Sequence, residues 1–175
     1  LASGFAFYFG GGAHHAQRDY GKGFCLINDV VVALRRIQAE GLARSIWVVD
    51  VDAHRGDGTA ALTEGDDSIR TLSVHMAAGW PLDEPPVDAV GRPNPSFVES
   101  DVDIPVGPGE EAQYVPRLAA GLDALARLPL AAYPQRRAAQ GGRSAQGGRS
   151  GGSPGAGPAK PDLALVVSGS DPYAY

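Results

Sequence analysis

Cysteine, basic residues and long apolar runs are scarce in this chain. Cys25 is the only cysteine among the 175 residues, so no disulfide can form within the chain, which fits a reducing cytoplasm. No apolar stretch reaches the roughly 20 residues that a membrane-spanning helix requires. The 15 Lys and Arg residues are outnumbered by 20 Asp and Glu residues, and the net charge of −5 offers no basic surface for nucleic acid. We therefore expect a cytoplasmic protein with no direct nucleic-acid or membrane partner.

Methionine is scarce as well. The chain begins with Leu1, and Met76 is its only methionine. The last residue, Tyr175, follows closely on an apolar run. We expect the chain to be a fragment of a longer protein, cut at both ends, so that some partners of its motifs lie outside it.

Short apolar runs rich in β-branched residues alternate with segments of helical spacing. Three of these runs predict strands buried on both faces: residues 46–51, 69–74 and 163–167. Helical spacing of apolar residues predicts helices in three places: residues 28–41, from Thr59 onward, and residues 110–128. The alternation predicts an α/β fold, a three-layer parallel sheet with helices on both faces, which is incomplete at both ends.

Residues 132–160 differ in composition from the rest of the chain. They are rich in Gly, Ser, Arg and Pro, and the sequence AQGGRS at 139–144 is repeated at 145–150. Such a composition buries too little apolar surface to offset the entropy that is lost on ordering. We therefore expect a disordered insertion there, with residues 1–131 and 161–175 forming parts of one domain.

Asp50, Asp52 and His54 follow the first predicted strand at intervals of two residues. Alternate side chains of an extended segment share a face, and the carboxyl edge of a parallel sheet is where such folds bind ligands. Carboxylate oxygens and an imidazole nitrogen suit zinc, and a catalytic zinc needs a third protein ligand, for which Asp171 is the candidate. Alternatively, the Asp-x-Asp pair caps a helix or binds a structural cation, and Asp171 forms a turn.

Two of the four histidines, His14 and His15, are adjacent and follow a run of three glycines. Water that attacks an amide needs a base and the departing amine needs an acid, and two imidazoles with different partners can share that work. Asp50 and Asp57 are suitable carboxylates, one for each ring. The alternative is a solvent-exposed or helix-capping pair of histidines. His75, after the second strand, is expected to be a core residue and not a ligand.

In order and spacing, these segments resemble the histone deacetylase family, which also includes acetylpolyamine amidohydrolases and acetoin-utilisation proteins. The matching sequences are GGAHHA at 11–16, GFCLIND at 23–29, VDVDAHRGDG at 49–58, TLSVH at 71–75 and SGSD at 168–171. The resemblance implies an arginase/deacetylase-like fold. It also implies zinc-dependent hydrolysis of an acetamide, in which acetyl-lysine or an acetylpolyamine is deacetylated and acetate is released.

The resemblance implies two metal sites. Asp52, His54 and Asp171 match the zinc ligands of the family. In the family a monovalent cation, usually potassium, lies beneath the zinc. The matching ligands of that cation are Asp50, Ser73 and the backbone carbonyls of Asp52, His54 and Val74.

The resemblance further implies a proton-transfer pair and a substrate tunnel. His14 and His15 match the tandem histidines that handle protons, and Asp50 and Asp57 match their respective carboxylate partners. The tunnel that receives the acyl-lysine side chain is lined at the positions that match Gly23, Phe24 and Trp80.

The chain departs from the family pattern at several points, which include Ser170 in place of the usual alanine and a longer insertion near 132–161. Arg55 stands where the best-known members have a second histidine, at a position that is not a ligand. In the family, a tyrosine in a Gly-rich turn stabilises the transition state. Tyr173 and Tyr175 are too close to Asp171 to match this tyrosine, so we expect its counterpart after the end of this chain. We therefore expect the fragment alone to be inactive.

Two other functions stay open. The sequence DAH at 52–54 also suits a ureohydrolase of the arginase type with two manganese ions, although GDG at 56–58 and the paired histidines favour the deacetylase. The second alternative is a catalytically incomplete domain that binds acylated ligands. The composition, rich in Gly, Pro, Ala and Arg, is typical of a bacterial protein, for which histones are not the expected substrate.

Overall fold

A computed structural model describes residues 4–87, 89–131 and 160–169 of the chain. These residues form the strands β1 (Ile46–Asp50), β2 (Ile69–Met76), β3 (Val102–Val106) and β4 (Leu163–Val167). The helices are α1 (Asp29–Ala39), α2 (Asp57–Thr63) and α3 (Tyr114–Leu125), with short 3-10 turns at Pro95–Phe97 and Glu111–Gln113. Within the described ranges, every helix is too short or too polar to cross a membrane.

The four strands form one parallel sheet in the order β3-β2-β1-β4. The last residue of β1, Asp50, pairs with Ser73 of β2 on one side and with Val167 of β4 on the other. Parallel strands present their carboxyl ends at one edge of the sheet. The loop after β1 therefore lies between the ends of β2 and β4.

Helices cover both faces of the sheet. One face, which carries Ile46, Val48 and Ile69, packs against Val30 and Leu34 of α1. The opposite face packs against α3 in a second cluster, whose buried members are Val49, Leu72, Val74, Val106 and Leu125. Because side chains alternate along a strand, β1 contributes to both clusters. The predicted three-layer parallel α/β arrangement is confirmed for the described residues.

Asn28 begins α1 and also connects it to the histidine loop. Its Oδ1 accepts a hydrogen bond from the backbone N–H of Val31 at 3.0 Å, which satisfies a donor at the start of the helix. Its Nδ2 donates to the carbonyl of His14 at 3.3 Å and to Thr59 Oγ1 at 3.2 Å. One buried side chain thus holds the first turns of two helices and the histidine loop together.

The sequence patterns do not predict β3. Its sequence, VDIPV, interrupts the apolar pattern with a carboxylate, and Pro105 has no N–H for a second neighbour. Such a strand fits the edge of a sheet, where β3 lies. We expected His75 to follow the second strand. β2 extends to Met76, however, so His75 lies within it.

The helix predicted over 110–128 begins only at Tyr114, after a 3-10 turn. The Glu110 carboxylate accepts a hydrogen bond from the backbone N–H of Gly107 at 2.9 Å, so the chain turns tightly before the helix starts. Residues 132–159 of the expected insertion lie outside the described residues. β4, which follows them in the chain, pairs with the central strand β1.

Candidate active site

The loop after β1 is shaped by two successive side-chain to backbone hydrogen bonds. Asp50 Oδ1 accepts from the backbone N–H of Asp52 at 3.0 Å, and Asp52 Oδ1 accepts from the backbone N–H of His54 at 2.8 Å. Aspartates commonly form such turns with the residue two positions later. The loop therefore holds all three predicted site residues at the end of the central strand.

The inner dyad consists of His14 and Asp50. His14 Nδ1 lies 2.5 Å from Asp50 Oδ2, and both side chains are buried. A Cβ atom at Gly56 would lie 2.4 Å from the same carboxylate oxygen. Glycine is therefore required at position 56, because any side chain would push into the dyad.

The outer dyad consists of His15 and Asp57. His15 Nδ1 lies 2.7 Å from Asp57 Oδ1, and the Asp57 side chain is completely buried. The other oxygen of Asp57 accepts hydrogen bonds from Ser96 Oγ at 2.5 Å and from Gln17 Nε2 at 3.3 Å. Asp57 is also the first residue of α2, where a negative charge is favoured by the helix dipole.

The two imidazole rings are held close together by backbone contacts. Their centroids are 4.0 Å apart, and the backbone N–H of Thr59 donates to the carbonyl of His14 at 2.9 Å. A Cβ atom at Gly58 would lie 2.5–2.6 Å from the backbone of residues 14–16. The histidine loop can approach α2 this closely only because position 58 is glycine.

The surroundings shift the pKa values of the two histidines in opposite directions. Burial lowers the pKa of His14, but the hydrogen bond to Asp50 and the charges of Asp50, Asp52 and Asp57 outweigh it and hold this pKa above its ordinary value. Burial also lowers the pKa of His15. The hydrogen bond to Asp57 raises the pKa of His15, but burial and the charges of His14 and His54 lower it by more. The pKa of His15 therefore lies below its ordinary value.

Asp52 and His54 are arranged as two ligands of one metal ion would be. Two donors on a tetrahedral zinc ion, each about 2.0–2.1 Å from it, lie about 3.4 Å from each other. Asp52 Oδ1 and His54 Nδ1 are 3.3 Å apart. The donor atoms present, one carboxylate and one imidazole, therefore fit zinc in both type and spacing.

The third predicted zinc ligand, Asp171, lies outside the described residues. Among residues 4–87, 89–131 and 160–169, no three metal-binding side chains are grouped to hold an ion. The segment after β4 nevertheless passes directly beside Asp52, because a Cβ atom at Gly169 would lie 1.6 Å from Asp52 Oδ2. Gly169, the last described residue of this segment, thus lies beside Asp52.

The side chains predicted to bind a monovalent cation belong to β1 and β2. Asp50, Ser73 and Val74 are all buried, and Asp50 and Ser73 are register partners in neighbouring strands. Ser73 Oγ accepts a hydrogen bond from the backbone N–H of Gly56 at 3.3 Å. Ser73 is thus connected both to Asp50 and to the loop after β1.

Two of the three predicted tunnel residues lie against the outer dyad. The indole ring of Trp80 lies 4.5 Å from the His15 ring and 5.6 Å from the His54 ring, centroid to centroid. Gly23, with a φ of +55°, packs so closely that a Cβ atom there would lie 2.3 Å from Trp80 and 2.7 Å from His15. The next residue, Phe24, also has a positive φ, 62°, and its side chain is fully exposed.

The sequence patterns missed several polar residues around the site. Lys22 and Glu84, together with Ser96, form a second layer of contacts around Asp57 and Trp80. His75 is buried, and its Nε2 lies 3.0 Å from Asp103, as suits the core histidine that we expected. Neither residue type nor local spacing marks these positions, since their partners lie tens of residues away in the chain.

Comparison with known proteins supports the same family. A family model described as the histone deacetylase domain matches residues 1–126. An uncharacterized protein of Picosynechococcus is 46% identical over 81 residues, which cover 46% of this chain and 27% of that protein. The acetoin utilization protein AcuC of Staphylococcus aureus is 40% identical over 68 residues, covering 39% of this chain and 17% of that protein.

The histone deacetylase HOS1 of Saccharomyces cerevisiae is 42% identical over 66 residues, which cover 38% of this chain and 14% of that protein. The chain therefore spans less than a third of the length of these curated relatives.

Proposed function

The chain belongs to the histone deacetylase family, and from this premise we propose that it carries the metal-binding and proton-transfer residues of a zinc-dependent deacetylase. The reaction is the hydrolysis of an acetamide, which releases acetate and an amine. The observation that supports it is the presence of two buried His–Asp dyads beside the Asp52–His54 pair. Opposite pKa shifts of two neighbouring imidazoles favour catalysis over binding alone, because perturbed pKa values cluster at catalytic sites.

In this proposal Asp52, His54 and Asp171 would hold a zinc ion. Asp50, Ser73 and the backbone carbonyls of Asp52, His54 and Val74 would hold a potassium ion. When bound, zinc supplies Lewis-acid chemistry that polarises the acyl carbonyl and acidifies water. Asp50 supports both sites through its hydrogen bond to the backbone of Asp52. This explains why a carboxylate that is not a zinc ligand belongs to the motif.

His15 acts as the base in this reaction. Its lowered pKa keeps the ring neutral near pH 7, and the bond between Nδ1 and Asp57 keeps the remaining ring proton on Nδ1. Nε2 then accepts the proton of the attacking water and delivers it to the departing amine. The amine leaves as the C–N bond breaks, and acetate remains.

His14 has a different role. Its raised pKa favours the protonated ring, and Asp50 accepts the hydrogen bond of its Nδ1. A buried imidazolium cannot take a proton from water, but it stabilises negative charge that develops next to it. We assign His14 to charge stabilisation, not to proton transfer.

The substrate in this proposal is an acetylated lysine side chain or an acetylpolyamine. Both present a narrow acyl group on an alkyl chain, which suits a passage bordered by Gly23 and Trp80, with Phe24 at its mouth. A cytoplasmic location, with reduced Cys25, is part of the same proposal.

The test is acetate release by the full-length gene product from an acetyl-lysine peptide and from an acetylpolyamine, with and without a zinc chelator. We expect turnover that chelation abolishes and that zinc restores. His15→Ala is expected to lower kcat by about 10²–10⁴-fold, the range for loss of a general base. Asp19→Asn, in a nearby exposed loop, is the control and keeps full activity. Turnover that survives chelation would contradict the proposal, and so would a fully active His15→Ala variant.

Metal analysis of the purified protein separates the deacetylase from a ureohydrolase. We expect one zinc ion per chain, whereas a ureohydrolase of the arginase type contains two manganese ions. Two bound manganese ions, together with urea release from a guanidino substrate, would replace the deacetylase assignment.

A further inference from the structure

We propose that Lys22 and Glu84 are positioning residues, a clamp that holds the Trp80 ring against the outer dyad. This inference rests on the proposed function, since it assigns the clamp a part in substrate binding. It goes beyond the motifs, because neither residue belongs to a metal-binding or proton-transfer pattern.

The contacts form a closed ring around the outer dyad. His15 bonds to Asp57 at 2.7 Å, and the second oxygen of Asp57 lies 3.6 Å from Lys22 Nζ. Lys22 Nζ lies 2.5 Å from Glu84 Oε2, and Glu84 Oε1 accepts a hydrogen bond from Trp80 Nε1 at 2.9 Å. The Trp80 ring then returns to His15, with 4.5 Å between the ring centroids. Each member is therefore held from two sides.

The clamp is more protected from water than a surface ion pair. The Lys22 side chain is only 11% exposed and that of Glu84 30% exposed. The ammonium group also donates to Ser96 Oγ, and it lies 5.4 Å from the centroid of the Trp80 ring. A cation with this many partners and little solvent has one favoured position, unlike the mobile lysines of open surfaces.

The local backbone prepares both residues for this contact. Lys22 and Cys25 exchange two backbone hydrogen bonds, of 2.9 and 2.8 Å, which close the turn that also presents Gly23. Glu84 follows Trp80 by four residues in a tight turn, and its carboxylate receives a further bond from Asn94 Nδ2 at 3.2 Å. The clamp thus joins two loops that the chain separates by about sixty residues.

A cleft of about 670 Å³ lies on the outer side of the clamp, and Lys22 and Glu84 form part of its wall. The same two side chains contact Asp57 and Trp80 on their inner side. The clamp therefore separates the cleft from the proposed acyl passage. Its removal leaves the indole without a bond to Nε1 and allows the ring to turn toward the cleft.

The first experiment follows Trp80 without depending on activity. The full-length gene product is labelled with 5-fluorotryptophan, and the Trp80 resonance is assigned by its loss in Trp80→Phe. Glu84→Ala and Lys22→Met are expected to shift and broaden this resonance, and Glu84→Gln, which keeps an acceptor for the indole N–H, is expected to shift it less. Asp19→Asn alters a carboxylate of the same cleft outside the ring of contacts, and should leave the resonance unchanged.

The second experiment separates KM from kcat with the acetyl-lysine peptide. Glu84→Ala is expected to raise KM by about 10-fold with kcat changed less than about 3-fold, because the bond steadies a binding surface and not the reacting atoms. Glu84→Gln should recover most of the wild-type KM. An unmoved Trp80 resonance in both clamp variants would overturn the proposal, and so would a moved resonance with unchanged KM.

The two proposals fail in distinguishable ways. A wild-type protein that releases no acetate contradicts the deacetylase function, and with it the part of the clamp in substrate binding. The fluorine spectra still decide whether Lys22 and Glu84 position Trp80. Thermal unfolding of each variant identifies any that fail to fold. If Glu84→Ala fails to fold, the Trp80 resonance and the KM of the near-isosteric Glu84→Gln test the clamp instead.

Discussion

The inner and outer dyads have the same composition, one histidine and one aspartate, yet the chain surrounds them differently. Asp50 of the inner dyad ends the central strand and also bonds to the loop backbone at Asp52. Asp57 of the outer dyad begins a helix and is enclosed by neutral donors and by Lys22. The inner dyad is thus bonded to the loop that carries the proposed zinc ligands, and the outer dyad contacts the residues proposed to border the substrate passage.

The difference shows how neighbours, not residue type, decide protonation. Three carboxylates act on His14 and hold its pKa above the ordinary value despite burial. His15 lies beside two other imidazoles, and its pKa stays below the ordinary value. The pKa values of adjacent residues in one loop are thereby shifted in opposite directions, as the proposed division of roles requires.

Asp50→Asn is expected to have the largest effect, because Asp50 contacts both His14 and the loop that carries Asp52. The amide keeps an acceptor for the backbone N–H of Asp52 but loses the charge that faces His14. We expect zinc affinity to fall by about 10–100-fold and kcat/KM by more than about 10³-fold. Competition with a zinc chelator and steady-state acetate release measure the two effects. Normal zinc affinity in this variant would show that the inner dyad is not coupled to the metal loop.

Asp57→Asn is the matched change in the outer dyad and is expected to have a smaller effect. It removes the charge that orients His15, so we expect kcat to fall by about 10–100-fold. Zinc content should stay at the wild-type level, because the Asp57 carboxylate bonds to His15, Ser96 and Gln17, which are not proposed zinc ligands. If this variant loses as much zinc as Asp50→Asn, the two dyads are equally coupled to zinc binding, and the proposed difference between them is wrong.

The parts that the sequence predicts best are those with local signals. The strands β1 and β4 consist mostly of apolar residues, β2 carries Ile69, Leu72 and Val74, and the helix cap at Asn28 precedes a clear helical pattern. The paired histidines and the aspartates at positions 50, 52 and 57 lie together in the structure. Their metal-binding and catalytic roles stay predictions.

The parts that the sequence does not reveal depend on contacts between distant segments. β3 contains Asp103 and Pro105, which interrupt the apolar pattern typical of a buried strand. Both residues fit there because β3 is an edge strand of the sheet. Lys22 and Glu84 are 62 residues apart, and their residue types are common on any surface. Only the folded chain shows that both are partly buried beside the outer dyad.

The opposite pKa shifts lead to the smallest effect, which is a difference in the pH dependence of stability in the metal-free protein. The folded pKa of His14 is raised, so its stabilisation is complete below pH 6.5 and is lost as the pH rises through the folded pKa. The folded pKa of His15 is lowered, so its contribution is complete above pH 6.5 and is lost as the pH falls through the folded pKa. Each group contributes at most about 1.4 kcal/mol per pH unit to the slope.

Urea unfolding of the chelator-treated full-length gene product between pH 5 and pH 9 measures these slopes. His14→Asn is expected to flatten the alkaline side of the stability curve, and His15→Asn the acidic side, while Asp19→Asn leaves both sides unchanged. If both histidine variants flatten the same side, the two imidazoles titrate alike. The assignment of a base to one dyad and a fixed positive charge to the other would then be wrong, because it depends on that difference.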